Sequence, residues 1–267
     1  MTQGQIVGLS DWSGRAVLVT GATQGLGREA ALAWHGAGAR VIVHGRTQVD
    51  GPAEEARRAT ERWLSFQADA ATVGELGDSL ARMLDVEEVD AVLLNHGATV
   101  REGDGVRLAP PLSYSSRELA DLMQVNALSM WECLQAVAGA WDSAAANVTR
   151  RRSVVLISSS GVGNTRAFDP YPYRLSKAVV NRLAHDLAHT FAEAGIALNV
   201  VSPGMIDGGL SHLPGVRRLT DTITAGIPMA RYGTVGELVS VLDLFLSGRV
   251  HFATGNNLLI NGGTVST

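Results

Sequence analysis

Short apolar runs alternate along the chain with longer segments of mixed polarity. The runs are nearly continuous, and they cover Ala16–Val19, Val41–Val43, Trp63–Phe66, Ala91–Leu94, Val154–Ile157, Ile196–Val201 and Leu258–Ile260. A strand that is buried on both faces of a parallel sheet has this pattern, whereas a half-exposed strand alternates polar and apolar residues. The pattern therefore predicts seven strands, of which Trp63–Phe66 has the weakest signal.

The segments between these runs predict helices. They cover Gly25–Ala37, Pro52–Arg62, Thr72–Leu84 with Thr72 as its cap, Ser116–Ala140, Pro172–Ala194 and Thr234–Leu246. Repeated strand–helix units joined by right-handed crossovers give a doubly wound α/β fold, with helices on both faces of a parallel sheet. No linker divides the chain, so we expect a loose tail or lead-in over residues 1–13 and a single domain over residues 14–267.

Two long stretches, residues 99–115 and 203–226, interrupt this alternation of strands and helices. Both follow the carboxyl ends of predicted strands, where open α/β sheets bind their ligands. The second stretch carries apolar residues that could form one wall of a substrate cavity: Met205, Ile206, Leu210, Leu213 and Val216.

Composition narrows the classes of protein. The 267 residues are 46% hydrophobic and 18% charged, which excludes a disordered chain. A net charge of −4 does not indicate binding to nucleic acid or to an anionic membrane. The single cysteine excludes a disulfide framework, and the amino terminus has neither the basic start nor the apolar stretch of a signal peptide. We therefore expect a soluble, cytoplasmic protein.

A glycine-rich turn, Thr20–Gly27, follows the first predicted strand and opens the first helix. Glycine permits positive φ and lets the backbone approach a pyrophosphate closely, and the helix N-terminus adds unpaired N–H groups. Glycines also occur in such turns for packing alone. The strand–turn–helix context favours dinucleotide binding.

Tyr173 and Lys177 lie one helical turn apart on the predicted helix face. Such a pair is usually an ordinary surface feature, but a strand-end run, Ser158–Ser160, precedes it closely. A nearby cation lowers the pKa of a phenol from about 10, and a serine hydroxyl can bond a carbonyl oxygen as charge develops on it. A serine of this run could therefore serve beside Tyr173.

Together, the G-x-x-x-G-x-G turn and the Y-x-x-x-K pair resemble the short-chain dehydrogenase/reductase family, from about Arg15 to Gly263. The resemblance is to a Rossmann-type oxidoreductase with a 3-oxoacyl reductase-like overall pattern. It implies hydride transfer between NAD(P) and a carbonyl/alcohol substrate. It also implies a catalytic set of Asn126, Ser159, Tyr173 and Lys177, in which Asn126 holds a water of a proton relay through the lysine. The family's serine matches Ser159 by its position at the end of the strand and Ser160 by its spacing of thirteen residues from Tyr173, and we favour Ser159.

The same resemblance implies the cofactor-binding residues. These are Gly21, Thr23, Gln24, Gly25, Leu26, Gly27, Arg46, Asp69, Ala70, Asn95, Gly97, Tyr173, Lys177, Pro203, Gly204 and Ile206. The sequence departs from the family in Leu94–Gly97, which reads Leu-Asn-His-Gly rather than Asn-Asn-Ala-Gly, and at Gly208, where the family often has threonine. Thr254–Gly255 and Asn261–Gly263 resemble the C-terminal edge that commonly joins a homotetramer, so a tetramer or dimer is implied.

The end of the second strand bears on the identity of the cofactor. An NAD site places an acid about 20 residues after the glycine turn, where it binds the ribose 2′-hydroxyl. Gly45 occupies that position here and leaves room, and Arg46 follows it with a guanidinium that suits a 2′-phosphate. We therefore expect NADP(H) rather than NAD(H). The alternative is that Arg46 is merely solvated and the site accepts either cofactor.

Other functions are compatible with parts of the sequence. His185 and His189 are spaced like zinc ligands, but Asp186 replaces the expected glutamate, so no metal site is predicted. A serine hydrolase using His212 or His251 would need a G-x-S-x-G elbow, which the serine run lacks. An NAD(H)-dependent alcohol dehydrogenase of the same family and a non-catalytic dinucleotide-binding or sensing protein remain alternatives.

Overall fold

A computed structural model describes residues 8–52, 62–142, 151–163 and 169–264 of the chain. The strands are β1 (Ala16–Val19), β2 (Arg40–Gly45), β3 (Trp63–Gln67), β4 (Ala91–Leu94), β5 (Arg101–Glu102), β6 (Gly105–Val106), β7 (Arg152–Ile157), β8 (Ile196–Pro203) and β9 (Asn257–Ile260). Seven of them form one sheet in the order β3-β2-β1-β4-β7-β8-β9, and every pairing within it is parallel. The predicted doubly wound α/β architecture is confirmed.

Helices cover this sheet. They are α1 (Gly25–Gly36), α2 (Glu75–Val86), α3 (Ser116–Met123), α4 (Ser129–Asp142), α5 (Tyr171–Glu193), α6 (Pro214–Arg217), α7 (Thr220–Ala225) and α8 (Val235–Leu246). None of the described helices combines the length and the apolar character that crossing a membrane requires. Most of the helix predicted over Pro52–Arg62 lies outside the described residues.

The order of the strands positions the site. β1 pairs with β2 on one side and with β4 on the other, so the connections after β1 and β4 diverge. A crevice forms at the carboxyl ends of strands where the order reverses in this way. The glycine-rich turn and residues 95–97 therefore border the same crevice.

The buried strands divide the core into two layers because successive side chains point to opposite faces of the sheet. In β1, Leu18 packs into one apolar layer, whereas Val17 and Val19 pack into the other. The lead-in is packed as well: Trp12 is fully buried, and its indole N–H donates to Asp243 of α8 at 2.7 Å. Residues 8–13 therefore form a packed lead-in to β1.

Two of the predicted helix features are wrong. Thr72 does not cap α2, because residues 69–72 form a turn of their own and Gly74 takes the N-cap position with φ 80°. There, Glu132 of α4 accepts a hydrogen bond from the N–H of Gly74 at 3.0 Å. The long helix predicted over Ser116–Ala140 is interrupted by a π-helical turn, Gln124–Leu128, which separates α3 from α4.

The two long stretches meet above the crevice. Residues 99–115 contain the β5–β6 hairpin, and residues 203–226 contain a 3₁₀ turn followed by α6 and α7. A Cβ atom added to Gly215 of α6 would lie only 2.9 Å from the Cα atom of Gly105 in the hairpin. The β5–β6 hairpin and α6 therefore pack against each other over the carboxyl edge of the sheet, and we call these two elements the roof.

Candidate active site

The glycine-rich turn is tied to the end of β4. The side-chain amide of Asn95 donates to the carbonyl oxygens of Thr20 and Gly21, at 3.2 and 3.1 Å. Gly21 has φ +66°, and a Cβ atom there would lie 2.7 Å from the Cα atom of His96. A Cβ atom on Gly27 would lie 2.6 Å from the Gly21 carbonyl oxygen and would also strike Asn95. Close packing therefore requires glycine at both positions.

The N-terminus of α1 has the chemistry of an anion site. The N-cap, Gln24, makes no side-chain capping bond, and no acid lies in the first turn. Thr23 and Gln24 are exposed, and Gly25 has φ +62°. The unpaired N–H groups and positive dipole of a helix start suit a phosphate. This donor set, beside glycines that admit a close backbone approach, fits the pyrophosphate of a dinucleotide.

We expect Gly27→Ala to lower the stability of the protein by about 1–3 kcal/mol, because the added methyl group overpacks the turn. It should also weaken dinucleotide binding. Thermal melting and fluorescence titration with NADPH would measure the two effects. Gly36→Ala is the matched control, since it lies in the same helix and an added Cβ atom meets nothing within 4 Å. Equal behaviour of the two variants would contradict the packing argument.

His96 joins the crevice to α4, a role that spacing alone did not reveal. The side chain is buried, with Nδ1 2.8 Å from the Thr20 hydroxyl and Nε2 2.8 Å from the Ser129 hydroxyl. Burial lowers the pKa of His96 well below its ordinary value, and the charges of His44 and Lys177 lower it further. A neutral His96 therefore links the end of β1 to the helix that follows the π-helical turn.

Three of the residues predicted to bind the cofactor or to decide its identity, Gly45, Asp69 and Ala70, lie at or just after the ends of β2 and β3. Asp69 accepts a hydrogen bond from the N–H of Ala71 at 3.0 Å, and Ala70 is buried. Gly45 does not leave the room expected from the sequence, because the side chains of Thr23 and Val49 already fill the space of a Cβ atom. The effect of glycine at this position is that the site lacks the carboxylate that an NAD site carries there.

Three catalytic candidates lie at the carboxyl ends of β7 and at the start of α5. The Lys177 ammonium donates to the carbonyl oxygen of Ile157 at 2.7 Å and lies 5.9 Å from the centroid of the Tyr173 ring. The Ser159 hydroxyl accepts from the N–H of Gly161 at 3.1 Å and donates to Asp169 at 3.2 Å. Ser159 also lies close enough to Tyr173 to lower the pKa of its phenol.

Asn126 is the fourth candidate, and it lies within the π-helical turn. Its side chain accepts from the N–H of Ala98 at 2.7 Å and donates to the Ala98 carbonyl and the Ser176 hydroxyl, both at 2.9 Å. A Cβ atom on Gly97 would lie 3.1 Å from Asn126 Oδ1 and 3.3 Å from Lys177 Nζ. Asn126 and Lys177 therefore converge beside the exposed Gly97.

The family described as "Enoyl-(Acyl carrier protein) reductase" matches residues 21–265 of the chain. The chain belongs to the short-chain dehydrogenase/reductase family. It is therefore a dehydrogenase/reductase enzyme.

Three similar proteins illustrate the relationship. The 3-oxoacyl-[acyl-carrier-protein] reductase FabG of Staphylococcus aureus is 25% identical over 253 residues, which cover 93% of this chain and 97% of that protein. A gluconate 5-dehydrogenase structure from Beutenbergia cavernae with bound NADP has a TM-score of 0.82 and 25% identity, covering 96% and 98% of the two chains. A 3-ketoacyl-(acyl-carrier-protein) reductase from Brucella melitensis complexed with NADH shares the fold at 20% identity, with a TM-score of 0.80 and coverage of 94% and 98%.

The electrostatics of the Tyr–Lys pair in this short-chain dehydrogenase/reductase differ from the sequence prediction. Burial and the neighbouring Asp169 carboxylate raise the pKa of Tyr173, and the nearby Ser159 side chain offsets only part of this rise. Burial lowers the pKa of Lys177 to about 7, which weakens its cationic character. The prediction that the pKa of the phenol is lowered is therefore wrong, because burial and Asp169 dominate.

The lowered pKa of Lys177 makes stability depend on pH. In the folded chain this lysine binds its proton only below a pKa of about 7, whereas in the unfolded chain it binds the proton up to the ordinary pKa of 10.5. Stability from this group therefore rises between about pH 7 and 10.5 and falls as the pH is lowered. We expect the melting temperature of cofactor-free Lys177→Met, relative to wild type, to increase as the pH drops from 10 towards 7.

The prediction is tested by the slope, against pH, of the difference in melting temperature between Lys177→Met and wild type. The loss of the bond to Ile157 changes the offset between the variants at every pH, but not the slope. Lys177→Arg stays protonated in both the folded and the unfolded chain at these pH values, so it should show the same slope relative to wild type as Lys177→Met, with a lower offset because its charge is buried. A difference between Lys177→Met and wild type that does not vary with pH would contradict a buried lysine with a lowered pKa.

A cavity of about 520 Å³ opens beside Ser159 and Tyr173 under the roof. Its lining includes Met205, Ile206 and Val216 of the predicted apolar wall, together with Pro203 and Gly204. Leu213 is not among the described lining residues, and the side chain of Leu210 lies outside the described part of the structure.

Gly208, where the family often has threonine, lines the same cavity. The hydroxyl of Ser211 accepts a hydrogen bond from the N–H of Gly208 at 2.9 Å. Ser211 is buried and also lines the cavity, so a hydroxyl is present close to the position that lacks one. Sequence reasoning missed this residue because it lies three positions further along the chain.

The competing metal site has no support among the described residues. His185 contacts Asp186 at 3.2 Å and His189 contacts Glu193 at 3.4 Å, and both histidines are exposed. Within the described ranges, no three His, Cys, Asp or Glu side chains are grouped so that they could hold a metal ion. These histidines belong to surface ion pairs on α5.

Proposed function

We propose that this enzyme transfers a hydride between NADP(H) and a carbonyl/secondary alcohol pair, with Tyr173 as the general acid/base. The observation that carries the proposal is the convergence of Ser159, Tyr173, Lys177 and Asn126 between an apolar cavity and the glycine turn. The cofactor, when bound, supplies the hydride and its electron pair to the carbonyl carbon. Tyr173 gives the carbonyl oxygen its proton, so that C=O becomes CH–OH; oxidation is the reverse.

The roles of the four residues follow from their surroundings. The pKa of Tyr173 is raised, so the side chain holds its proton at neutral pH and can act as the acid in reduction. The Ser159 hydroxyl can stabilise the developing oxyanion once it turns to the substrate. Lys177 and Asn126, which meet beside Gly97, can return a proton to Tyr173 through water.

Assays with a panel of ketones and secondary alcohols test this function. Oxidation of NADPH that depends on a ketone, followed at 340 nm, supports it. Tight dinucleotide binding with no turnover of any ketone or alcohol would instead support a dinucleotide-binding or sensing protein. The similarity to S. aureus FabG and to the B. cavernae gluconate 5-dehydrogenase places 3-oxoacyl and sugar-acid substrates in the first panel.

NADP(H) is the favoured cofactor in this proposal because of the end of β2. Gly45 supplies no carboxylate to repel a 2′-phosphate, and Arg46 is exposed beside it. Within the described residues, no hydrogen bond or ion pair is found for the Arg46 guanidinium, so it is available to a phosphate. An NAD(H)-dependent enzyme is the alternative, in which Arg46 stays solvated.

We expect Arg46→Ala to reduce the preference for NADPH over NADH, as a ratio of kcat/KM values, by about 10-fold, since one charge-assisted hydrogen bond is worth about 1.5–3 kcal/mol. Arg117→Ala is the control, because it removes the same charge from an exposed position on α3. A wild-type preference for NADH, or an unchanged ratio in Arg46→Ala, would count against the assignment.

We also propose that the enzyme is a homo-oligomer, a tetramer or a dimer, that assembles through the edge strand β9. Leu258 and Leu259 of β9 are exposed to 38% and 41%, and Phe252 just before the strand is fully exposed. Exposed apolar side chains on a sheet edge are typical of an interface. Sedimentation of the wild type and of Phe252→Ser would measure the assembly.

A further inference from the structure

Asp169 places a carboxylate in a cavity whose lining is mostly apolar. It lies just before α5, and its side chain accepts a hydrogen bond from Ser159 and raises the pKa of Tyr173. Burial raises the pKa of the carboxyl, and the hydrogen bond from Ser159 and the charge of Arg174 offset part of this rise. Among the described residues that line the cavity, Asp169 is the one with an ionisable carboxyl, and none is Arg, Lys or His.

This carboxylate competes with substrate for the proton of Ser159. An ionised carboxylate only accepts hydrogen bonds, so the Ser159 hydrogen points to Asp169 Oδ2, at 3.2 Å. The serine oxygen meanwhile accepts from the N–H of Gly161 at 3.1 Å. Ser159 therefore has no second hydrogen for a substrate carbonyl as long as it remains bonded to Asp169.

We propose that the substrate carries its own hydrogen-bond donor, a hydroxyl or an amine, within a carbon or two of the reacting carbonyl, and that this donor binds Asp169. The donor takes the place of the Ser159 hydroxyl on the carboxylate. Ser159 is then released to turn its hydrogen to the carbonyl oxygen. The inference rests on the proposed function, because it assigns the substrate class of the same site: hydroxy- or aminoketones with an apolar body.

The other residues of the cavity suit a hydroxy- or aminoketone with an apolar body. Met205, Ile206, Val216 and Leu219 supply apolar contacts for the body of the substrate. A carboxylate placed beside Asp169 would be repelled, and no described cation in the lining would compensate. A keto acid with its carboxylate next to the carbonyl is therefore the wrong substrate for this pocket.

Three matched substrates test the proposal. A hydroxymethyl ketone, the methyl ketone that lacks the hydroxyl and the corresponding keto acid would share one apolar body. In the wild type we expect kcat/KM for the hydroxymethyl ketone to exceed that for the methyl ketone by at least about 10-fold, because an unmet buried acceptor penalises the analogue. The keto acid should be the poorest of the three.

Asp169→Ala should reverse the preference. Loss of the carboxylate frees Ser159, so turnover of the methyl ketone should stay equal or rise while turnover of the hydroxymethyl ketone falls. Asp169→Asn, which keeps an acceptor oxygen, should retain part of the preference. Asp221→Asn is the control, since it removes a carboxylate from the exposed surface of α7, and its substrate ratio should match that of the wild type. Melting temperature and NADPH affinity would show that each variant is folded.

The outcomes separate this inference from the proposed function. An unchanged substrate ratio in Asp169→Ala, or a wild-type preference for the methyl ketone or the keto acid, overturns the role of Asp169 even if ketones are reduced. Preference for a 1,2-diketone over the hydroxyketone overturns it too, because the carboxyl would then act as the donor. If no ketone is turned over, the proposed function fails. Calorimetric binding of the three compounds to the NADP⁺ complex then tests Asp169 alone, with hydroxyl-selective binding that is lost in Asp169→Ala as the supporting result.

Discussion

Tyr173→Phe is expected to lower kcat by at least about 10³-fold while the affinity for NADPH changes little, because the phenol proton alone is removed and general acid catalysis contributes about 10²–10⁴-fold. Phenylalanine keeps the ring that lies 5.9 Å from the Lys177 ammonium, so the packing beside the lysine is preserved. Steady-state kinetics with the best ketone of the panel and a fluorescence titration with NADPH would measure the two quantities.

Tyr171→Phe is the matched control for this experiment. Tyr171 lies on the same helix, two residues earlier, and is 40% exposed at the protein surface. Its ring contacts the Arg174 guanidinium at 5.7 Å, a contact that phenylalanine retains. Near-normal turnover in Tyr173→Phe, or an equal loss in Tyr171→Phe, would refute the assignment of Tyr173 as the acid/base.

The architecture was predictable because of where its strands lie. A parallel sheet that is covered on both faces has to bury nearly every strand residue, and Val17, Leu18 and Val19 are each fully buried. Continuous apolar runs therefore marked the strands of the sheet. The interruption of the helix at Gln124–Leu128 could not be predicted, because Asn126 is held there by Ala98 and Ser176, which belong to other parts of the chain.

The site was predictable where its residues are neighbours in sequence. The glycine turn and the pair Tyr173 and Lys177 are local patterns, so their spacing indicates their placement. Contacts between distant segments gave no such signal: His96 reaches Ser129, 33 residues away, and Asp169 reaches Ser159. The pKa shift of Tyr173 had the wrong predicted sign for the same reason, since burial and Asp169 dominate over the local lysine.

Ser159→Ala and Ser160→Ala together decide which serine meets the substrate carbonyl. The structure favours Ser159, whose hydroxyl donates to Asp169 at 3.2 Å and whose side chain lowers the pKa of Tyr173. Ser160 begins a 3₁₀ turn, and its hydroxyl lies towards Gly204, where an added Cβ atom would be 3.4 Å away. Both serines line the cavity, so lining it does not distinguish them.

We expect Ser159→Ala to lower kcat by about 10²–10³-fold, the usual cost of removing one donor to a developing oxyanion. Ser160→Ala should change it only a few-fold, although the two substitutions delete the same hydroxyl from adjacent residues of one cavity. The effect of Ser159→Ala should fall on kcat and kcat/KM alike, because the bond from the serine strengthens as negative charge develops on the carbonyl oxygen in the transition state. A larger loss in Ser160→Ala would show that the thirteen-residue spacing to Tyr173, and not the position at the end of β7, identifies the catalytic serine.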